Sequence, residues 1–170
     1  MKSGNTFSFT TDTPLGKILA AARDNALIGL WFTGQKYFPQ GTGEWQPKGD
    51  HPVFASLSAW LEDYFSGKRP KVKINLAPGG TVFQEAVWGL LLEIPYGSTS
   101  TYGALSAKLS AAGKKASAQA VGGAVGRNPI SLIIPCHRVL GADGSLTGYA
   151  GGLDKKHALL ELEKTHLPRE

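Results

Sequence analysis

Asn128-Pro129-Ile130-Ser131-Leu132-Ile133-Ile134-Pro135-Cys136-His137-Arg138-Val139 holds the only cysteine of the 170-residue chain, and the remainder reads as a means of presenting it. The run Ile130 to Ile134 is short, rich in β-branched residues and bounded by Pro129 and Pro135. It therefore predicts a buried extended segment that delivers Cys136 to a defined place. The thiolate is the nucleophilic form of cysteine and a minor species at neutral pH, so a reactive cysteine needs a base or positive surroundings. His137, Arg138 and Asn128 are at hand for that. A lone cysteine is also commonly a small buried hydrophobe, and its company must decide between the two readings.

Upstream, Thr81 with Gln84 forms a capping-box pattern, and Val82, Val87, Leu90, Leu91 and Ile94 give one apolar face to a helix ending near Pro95. Thr101 caps a second helix, roughly Tyr102 to Leu109. After the turn Ser110 to Lys115, a third helix from about Ser117 to Gly126 is rich in Ala and Gly. Two short helices joined by a turn, the second small-faced and flanked by basic residues, fit a helix-turn-helix. Taken alone, the pattern fits a close-packed αα-hairpin as well.

Nearer the N-terminus, Phe7 and Phe9 alternate with polar residues, Asp12 to Gly16 makes a turn, and Ile18 to Ala22 and Leu27 to Phe32 supply two further strands of an antiparallel meander. Thr33 to Asp50 reads as a loop without a motif. Pro52 suits the first position of a helix whose apolar stripe, Val53, Leu57, Leu61, Tyr64 and Phe65, runs until Gly67. Val72, Ile74 and Leu76 alternate as a short strand. Pro78-Gly79-Gly80 then marks a domain boundary, separating residues 1–78 from 79–170.

Charge is unevenly placed. The net charge is +5, and the segment from Ile94 to Ala142 contains Lys108, Lys114, Lys115, Arg127 and Arg138 but no acidic residue; the other 13 basic residues balance 13 acidic ones. The excess thus surrounds Cys136. Such a stripe can neutralise phosphates and release their counterions, although a solvated face that aids solubility has the same composition. No signal peptide or membrane-length apolar run is evident, and a single cysteine excludes internal disulfides and multi-cysteine zinc sites. These features predict a soluble cytoplasmic protein, and the four histidines show no metal-ligand spacing.

The hexapeptide Ile134-Pro135-Cys136-His137-Arg138-Val139 resembles the active-site signature of the O6-alkylguanine-DNA alkyltransferases, also called methylated-DNA–protein-cysteine methyltransferases. Thr81-Val82-Phe83-Gln84 with Val87-Trp88, Ile94-Pro95-Tyr96-Gly97, Thr101-Tyr102-Gly103, Ala120-Val121-Gly122-Gly123-Ala124 and Thr147-Gly148-Tyr149-Ala150-Gly151-Gly152 are similar too, in the family's order. The likeness spans Thr81 to Glu163, about half the chain. It implies an α/β protein: a small N-terminal antiparallel-sheet α/β domain in a supporting role, then a mainly helical, winged helix-turn-helix-like domain for DNA binding and alkyl transfer. The partner implied is double-stranded DNA containing O6-alkylguanine, or O4-alkylthymine, bound through the minor groove by a monomer.

The same resemblance implies roles. Cys136 is the nucleophile, His137 its base through a water, Glu163 the carboxylate that orients the far imidazole nitrogen, and Asn128 the brace of the active-site turn. By itself, Glu163 also reads as an exposed helix-surface carboxylate. Tyr102 helps rotate the nucleotide and bonds the flipped guanine, Tyr149 forms a pocket wall, Val139 and Cys136 accept from the guanine amino group through their backbone, and the Ala150 amide donates toward O6. Ala120, Gly122 and Gly123 permit close approach to DNA. Where the family commonly has an arginine that fills the gap left by the extruded base, this chain has Gln119, which lacks the charge and the stacking plane. Lys114, Lys115, Arg127 and Arg138 are the expected phosphate contacts. The product is a thioether, and without a second cysteine to resolve it the protein acts once. Two other readings remain at this level: a cysteine hydrolase, and a module that binds alkylated DNA without repairing it.

Overall fold

A computed structural model describes residues 4–166. The chain forms two compact units, the first running to Pro78 and joined by Pro129–Ser131, the second made of Gly79–Asn128 and the chain from Leu132 onward. The sequence places Pro129–Ser131 in the second domain; the structure groups it with the first, because Pro129 and Ser131 hydrogen-bond to Leu30 on both sides.

In the first unit β1 (Thr6–Thr13), β2 (Gly16–Arg23) and β3 (Ala26–Phe32) pair antiparallel as a meander. Alternation assigns Ile18, Ala20 and Ala22 to one face of β2 and Leu19 and Ala21 to the other, and all five are buried. Both faces are covered. Helix α1 (Pro52–Phe65) buries Val53, Phe54, Leu57, Trp60, Leu61 and Tyr64; Pro52 stands in its first turn and His51 caps it, Nδ1 accepting from the Val53 amide at 3.1 Å. Leu19, Ala21 and Trp31 are covered by Ile28, Phe38 and Trp45. Two of those come from the segment that reads as a motif-free loop. It folds back as a 3-10 turn (Thr42–Glu44) and a short strand β4 (Gln46–Pro47) parallel to β1. Gly29 is required by space: a Cβ there would lie 1.8 Å from the Trp31 ring.

The expected strand at Val72 to Leu76 reduces to one parallel bridge, Leu76 with Leu27, and Val72 is exposed. Pro70 and Pro78 flank this stretch and lack ladder donors, which limits its pairing. The run before Cys136 also departs from expectation. Ile130 to Ile134 is buried throughout, yet only Ile130 bridges to the sheet strand at Leu30, and Leu132 then adopts φ 71°. The chain turns instead of continuing extended. A left-handed leucine costs about 1–2 kcal/mol, which its complete burial with Ile130, Ile133 and Ile134 offsets.

The second unit contains α2 (Val82–Leu92), α3 (Tyr102–Ala111), α4 (Ala118–Gly126) and α5 (Leu153–Thr165). Thr81 and Gln84 make the reciprocal capping box, and the hydroxyls of Thr101 and Ser117 cap α3 and α4. Each start is thereby set locally. Trp88 on α2 donates its indole N–H to the Ala124 carbonyl at 2.9 Å, tying α2 to α4. A short parallel pair, β5 (Ser100–Thr101) and β6 (Val139–Leu140), aligns Ser100 with Val139 and so anchors the exit of the Cys136 segment beside the start of α3. No helix among the described residues is long and apolar enough to cross a membrane.

Candidate active site

Pro135 ends the buried run, and Cys136–Arg138 forms a single 3-10 turn that holds Cys136 and His137 inside the second unit. Asn128 is buried at the end of α4, where its side-chain amide donates to the Ile134 carbonyl at 2.8 Å and its side chain also bonds the Cys136 sulfur. It braces the turn from the helix side. From the other side α5 presents Lys156 and Glu163, two helical turns apart on the face that also buries Leu159.

Glu163 is almost fully enclosed and saturated with donors. Its Oε2 lies 2.6 Å from His137 Nε2, Arg138 donates through Nε to Oε1 at 2.8 Å and through Nη2 to Oε2 at 3.1 Å, and the Gly97 amide donates to Oε1 at 3.0 Å. Burial opposes the carboxylate, but His137 and then Arg138 outweigh it and hold the carboxyl at about 2. An ionised Glu163 can only accept, so His137 carries its proton on Nε2. Burial also pushes the His137 imidazolium down despite Glu163, which makes the neutral ring the resting form. Its Nδ1 is then a lone-pair acceptor, buried and without a partner among the described residues. Here is a base held in one tautomer, in the same turn as the thiol. Cys136 itself is pushed up by burial, with Asn128 and Lys156 pulling the other way, so it rests as thiol and calls for that base.

Tyr149 is half-buried with its hydroxyl enclosed and without a partner among the described residues, and burial, then the charge of Cys136, keeps it a phenol. Tyr102 donates its hydroxyl to the Thr147 carbonyl at 2.9 Å. Val139 is fully buried and Ala150 half-buried in the turn just before α5. The loop between β6 and α5 turns through Gly144, Gly148 and Gly152, all at positive φ.

On α4, Gln119, Ala120 and Gly123 are exposed, Gly122 is partly covered by Tyr102, and Val121, Ala124 and Val125 face inward. A Cβ on Gly123 would meet nothing within 4 Å. Helix packing therefore does not explain that glycine, which weighs against a mere αα-hairpin. Lys114 and Lys115 are exposed ahead of α4 and Arg127 is exposed at its end.

Arg138 departs from its expected role at phosphate. Its side chain is only 11% exposed, its guanidinium grips Glu163, and Nη1 donates to the Ile94 carbonyl at 2.7 Å. It is an internal brace of the carboxylate. Lys156 is the residue that sequence reasoning missed: it is fully buried, donating to the carbonyls of Thr147 and Gly148 at 3.0 Å each. The available signal was its position, three residues before Leu159 on the stripe that Glu163 continues, where a surface lysine would not fall.

Residues 82–165 match the family model "6-O-methylguanine DNA methyltransferase, DNA binding domain", and residues 7–78 match "6-O-methylguanine DNA methyltransferase, ribonuclease-like domain". A methylated-DNA–protein-cysteine methyltransferase of Mycobacterium tuberculosis is 44% identical over 161 residues, covering 95% of this chain and 94% of that one. Its namesake in Methanosarcina barkeri is 45% identical over 156 residues, covering 92% and 96%. Among solved structures, Mycobacterium tuberculosis OGT in complex with DNA superposes with a TM-score of 0.83 at 40% identity, covering 95% of each chain.

Proposed function

Because the chain belongs to the 6-O-methylguanine DNA methyltransferase family, we propose that it repairs DNA by direct reversal, moving the alkyl group of O6-alkylguanine irreversibly onto Cys136. The observation that carries this reading for the chain's own residues is His137, neutral, fixed by Glu163 at 2.6 Å and left with an Nδ1 that has no partner among the described residues, in the same turn as a buried thiol.

A lesion inside a duplex is out of reach of this sulfur, so the nucleotide rotates out of the stack at a cost of a few kcal/mol. The exposed small face of α4 lies along the minor groove, Gln119 stands at the gap, and Lys114, Lys115 and Arg127 hold phosphates. Tyr102 exchanges its bond with Thr147 for one to the base, Tyr149 walls the pocket, the Val139 and Cys136 carbonyls receive the guanine amino group, and the Ala150 amide faces O6.

His137 Nδ1 takes the thiol proton through one bridging water, since neighbouring side chains on one turn diverge. A sulfur lone pair then attacks the alkyl carbon in line, the carbon–O6 bond breaks with its electron pair going to guanine, and the base takes up one proton. Thiol plus O6-alkylguanine thus becomes thioether plus guanine. Nothing is left to cleave the thioether, and each molecule acts once, without a cofactor. O4-alkylthymine offers the same displacement. The protein binds DNA as a monomer, and a DNA-borne substrate together with an oxidisable lone thiol suits the cytoplasm.

The test is intact mass after incubation with a duplex carrying one O6-methylguanine. Wild type gains one methyl group and saturates at one per molecule; Cys136→Ala gains none. Binding of the duplex without a mass change would sink the transfer, and repeated turnover on acyl esters would point to a hydrolase.

A further inference from the structure

The overall balance of charge outside the cysteine region conceals a second local excess, in the first unit. From Tyr64 to Gln84 the chain has no acidic residue, yet Lys68, Arg69, Lys71 and Lys73 fall close together there. All four are exposed, on the stretch after α1 that does not become a strand. Lys71, Lys73 and Ile74 from this stretch, with Ser56, Trp60 and Asp63 from α1, line a cavity of about 300 Å3. Neither Lys71 nor Lys73 has a hydrogen bond or ion pair among the described residues, and Asp63, the carboxylate of the lining, is engaged by Lys68 at 3.5 Å. Two ammoniums thus stand at the cavity with no partner inside the unit.

Trp60 supplies an independent observation. It is only 7% exposed, and its indole N–H is enclosed without an acceptor among the described residues. Its ring stacks on Tyr64, the centroids 5.0 Å apart and the planes 9° apart, which holds it in place. A buried donor left unpaired costs stability and is rare in a folded protein. The lysine ammoniums, the Ser56 hydroxyl and this N–H are all donors, and an anion rich in oxygen can accept from each of them.

We propose that this cavity of the first unit is a phosphate site, filled by the backbone of a nucleic-acid strand. Lysine ammoniums act as point charges that suit phosphate, whereas a planar carboxylate is matched best by the arginine fork. The volume lies at the small end of ligand clefts, about 300–1,000 Å3, and so takes one backbone unit. Lys68 and Arg69 continue the charge outward along exposed chain. One phosphate has no use for four cations, but a strand carries a charge at every nucleotide and meets them in turn. Donors to phosphate read no base, so the site binds without regard to sequence. It rests on no part of the alkyl-transfer reading.

The experiment follows the indole N–H signals of the full-length protein by proton–nitrogen NMR while a short oligothymidylate, which carries no alkylated base, is added. The chain has four tryptophans, and Trp60→Phe assigns the signal by deleting it; should that variant not fold, triple-resonance assignment of wild type identifies the same signal. The Trp60 signal should move as the strand binds, and its own titration reads the affinity of this site apart from any contact on α4. Lys71→Gln with Lys73→Gln removes both ammoniums from exposed positions. The affinity read at Trp60 should then fall about tenfold or more at low salt. Each phosphate contact to a single strand adds about 0.7 to the slope of log affinity against log salt, so the slope should drop by about 1.4.

A Trp60 signal that stays still, or one that moves with the same affinity and salt slope in the double lysine variant, would overturn the site. Two further probes identify the source of the anion. Inorganic phosphate acting as strongly as the oligothymidylate would give the cavity to the free ion and overturn the strand, and an acidic peptide acting as strongly would give it to protein carboxylates. No step of this test involves Cys136 or a lesion. Loss of methyl transfer would therefore refute the proposed function and leave this site standing, and an unmoved Trp60 would do the reverse.

Discussion

Helices α4 and α5 reverse what their compositions suggest. Helix α4 has no charged residue, yet it turns Gln119, Ala120 and Gly123 to solvent; α5 carries Asp154, Lys155, Lys156, Glu161, Glu163 and Lys164, yet it buries Lys156 and Glu163. The difference separates two uses of a helix. The glycine on the exposed face of α4 is not demanded by packing, since a Cβ on Gly123 would meet nothing within 4 Å, and the proposed function gives that face to DNA. The charges that α5 buries are held by partners inside the unit, Glu163 by His137, Arg138 and Gly97, and Lys156 by the carbonyls of Thr147 and Gly148.

The largest effect is expected at Glu163. Replacing it with glutamine leaves Arg138 buried without its counter-charge and frees His137 to choose the wrong tautomer. The expected loss in urea unfolding at pH 7 is about 3–5 kcal/mol, accompanied by a fall in single-turnover transfer of about a hundredfold or more. Acid titration gives the sign independently. Glu163 is held at about 2 when folded, below its ordinary value of 4.5, so the unfolded chain binds more protons and wild-type stability declines as pH falls from about 4.5 toward 2. Burial of neutral His137 adds a decline that begins as pH drops through about 6.5. Glu163→Gln should abolish the lower part of that slope, and an unchanged acid slope would show that the carboxylate is not the linked group.

At α4 the opposite pattern is expected. Gly123→Leu adds a side chain where a Cβ meets nothing within 4 Å, so the melting temperature should hold or rise, leucine being the better helix former. Duplex affinity should nevertheless drop by roughly tenfold or more, equivalent to about 1.4 kcal/mol. Loss of stability without loss of binding would place that face in the protein's interior. The smallest effect belongs to Gln119→Arg. Guanidinium supplies the charge and plane that the amide lacks, and transfer from duplex substrates should quicken a few-fold, with no gain on the free base, as measured by single-turnover rates.

How much was legible beforehand follows the range of the forces involved. The starts of α2, α3 and α4 are written in Thr81, Thr101 and Ser117, because a cap is an interaction across three residues. The meander could be read from alternation, and the buried stretch leading to Cys136 and His137 from its apolar run. The turn at Leu132, the folding of Phe38 and Trp45 over Trp31, and the failure of Val72 to join a strand could not be read, since each depends on surfaces supplied from elsewhere in the unit. Arg138 illustrates the limit well. Its neighbourhood is basic and suggests phosphate, but its guanidinium is claimed by a carboxylate that arrives 25 residues later.

The amino-acid sequence alone determined the nucleophile, the family, the helix starts and the basic setting of the cysteine, all of them properties of short stretches or of composition. Tertiary structure alone decided which charges are buried: that Glu163 fixes the tautomer of His137, that Arg138 faces inward, and that Lys156 lies enclosed against the carbonyls of Thr147 and Gly148. The physical reason is that a side chain's charge is local, but its solvation and its partners are set by whatever the fold packs against it.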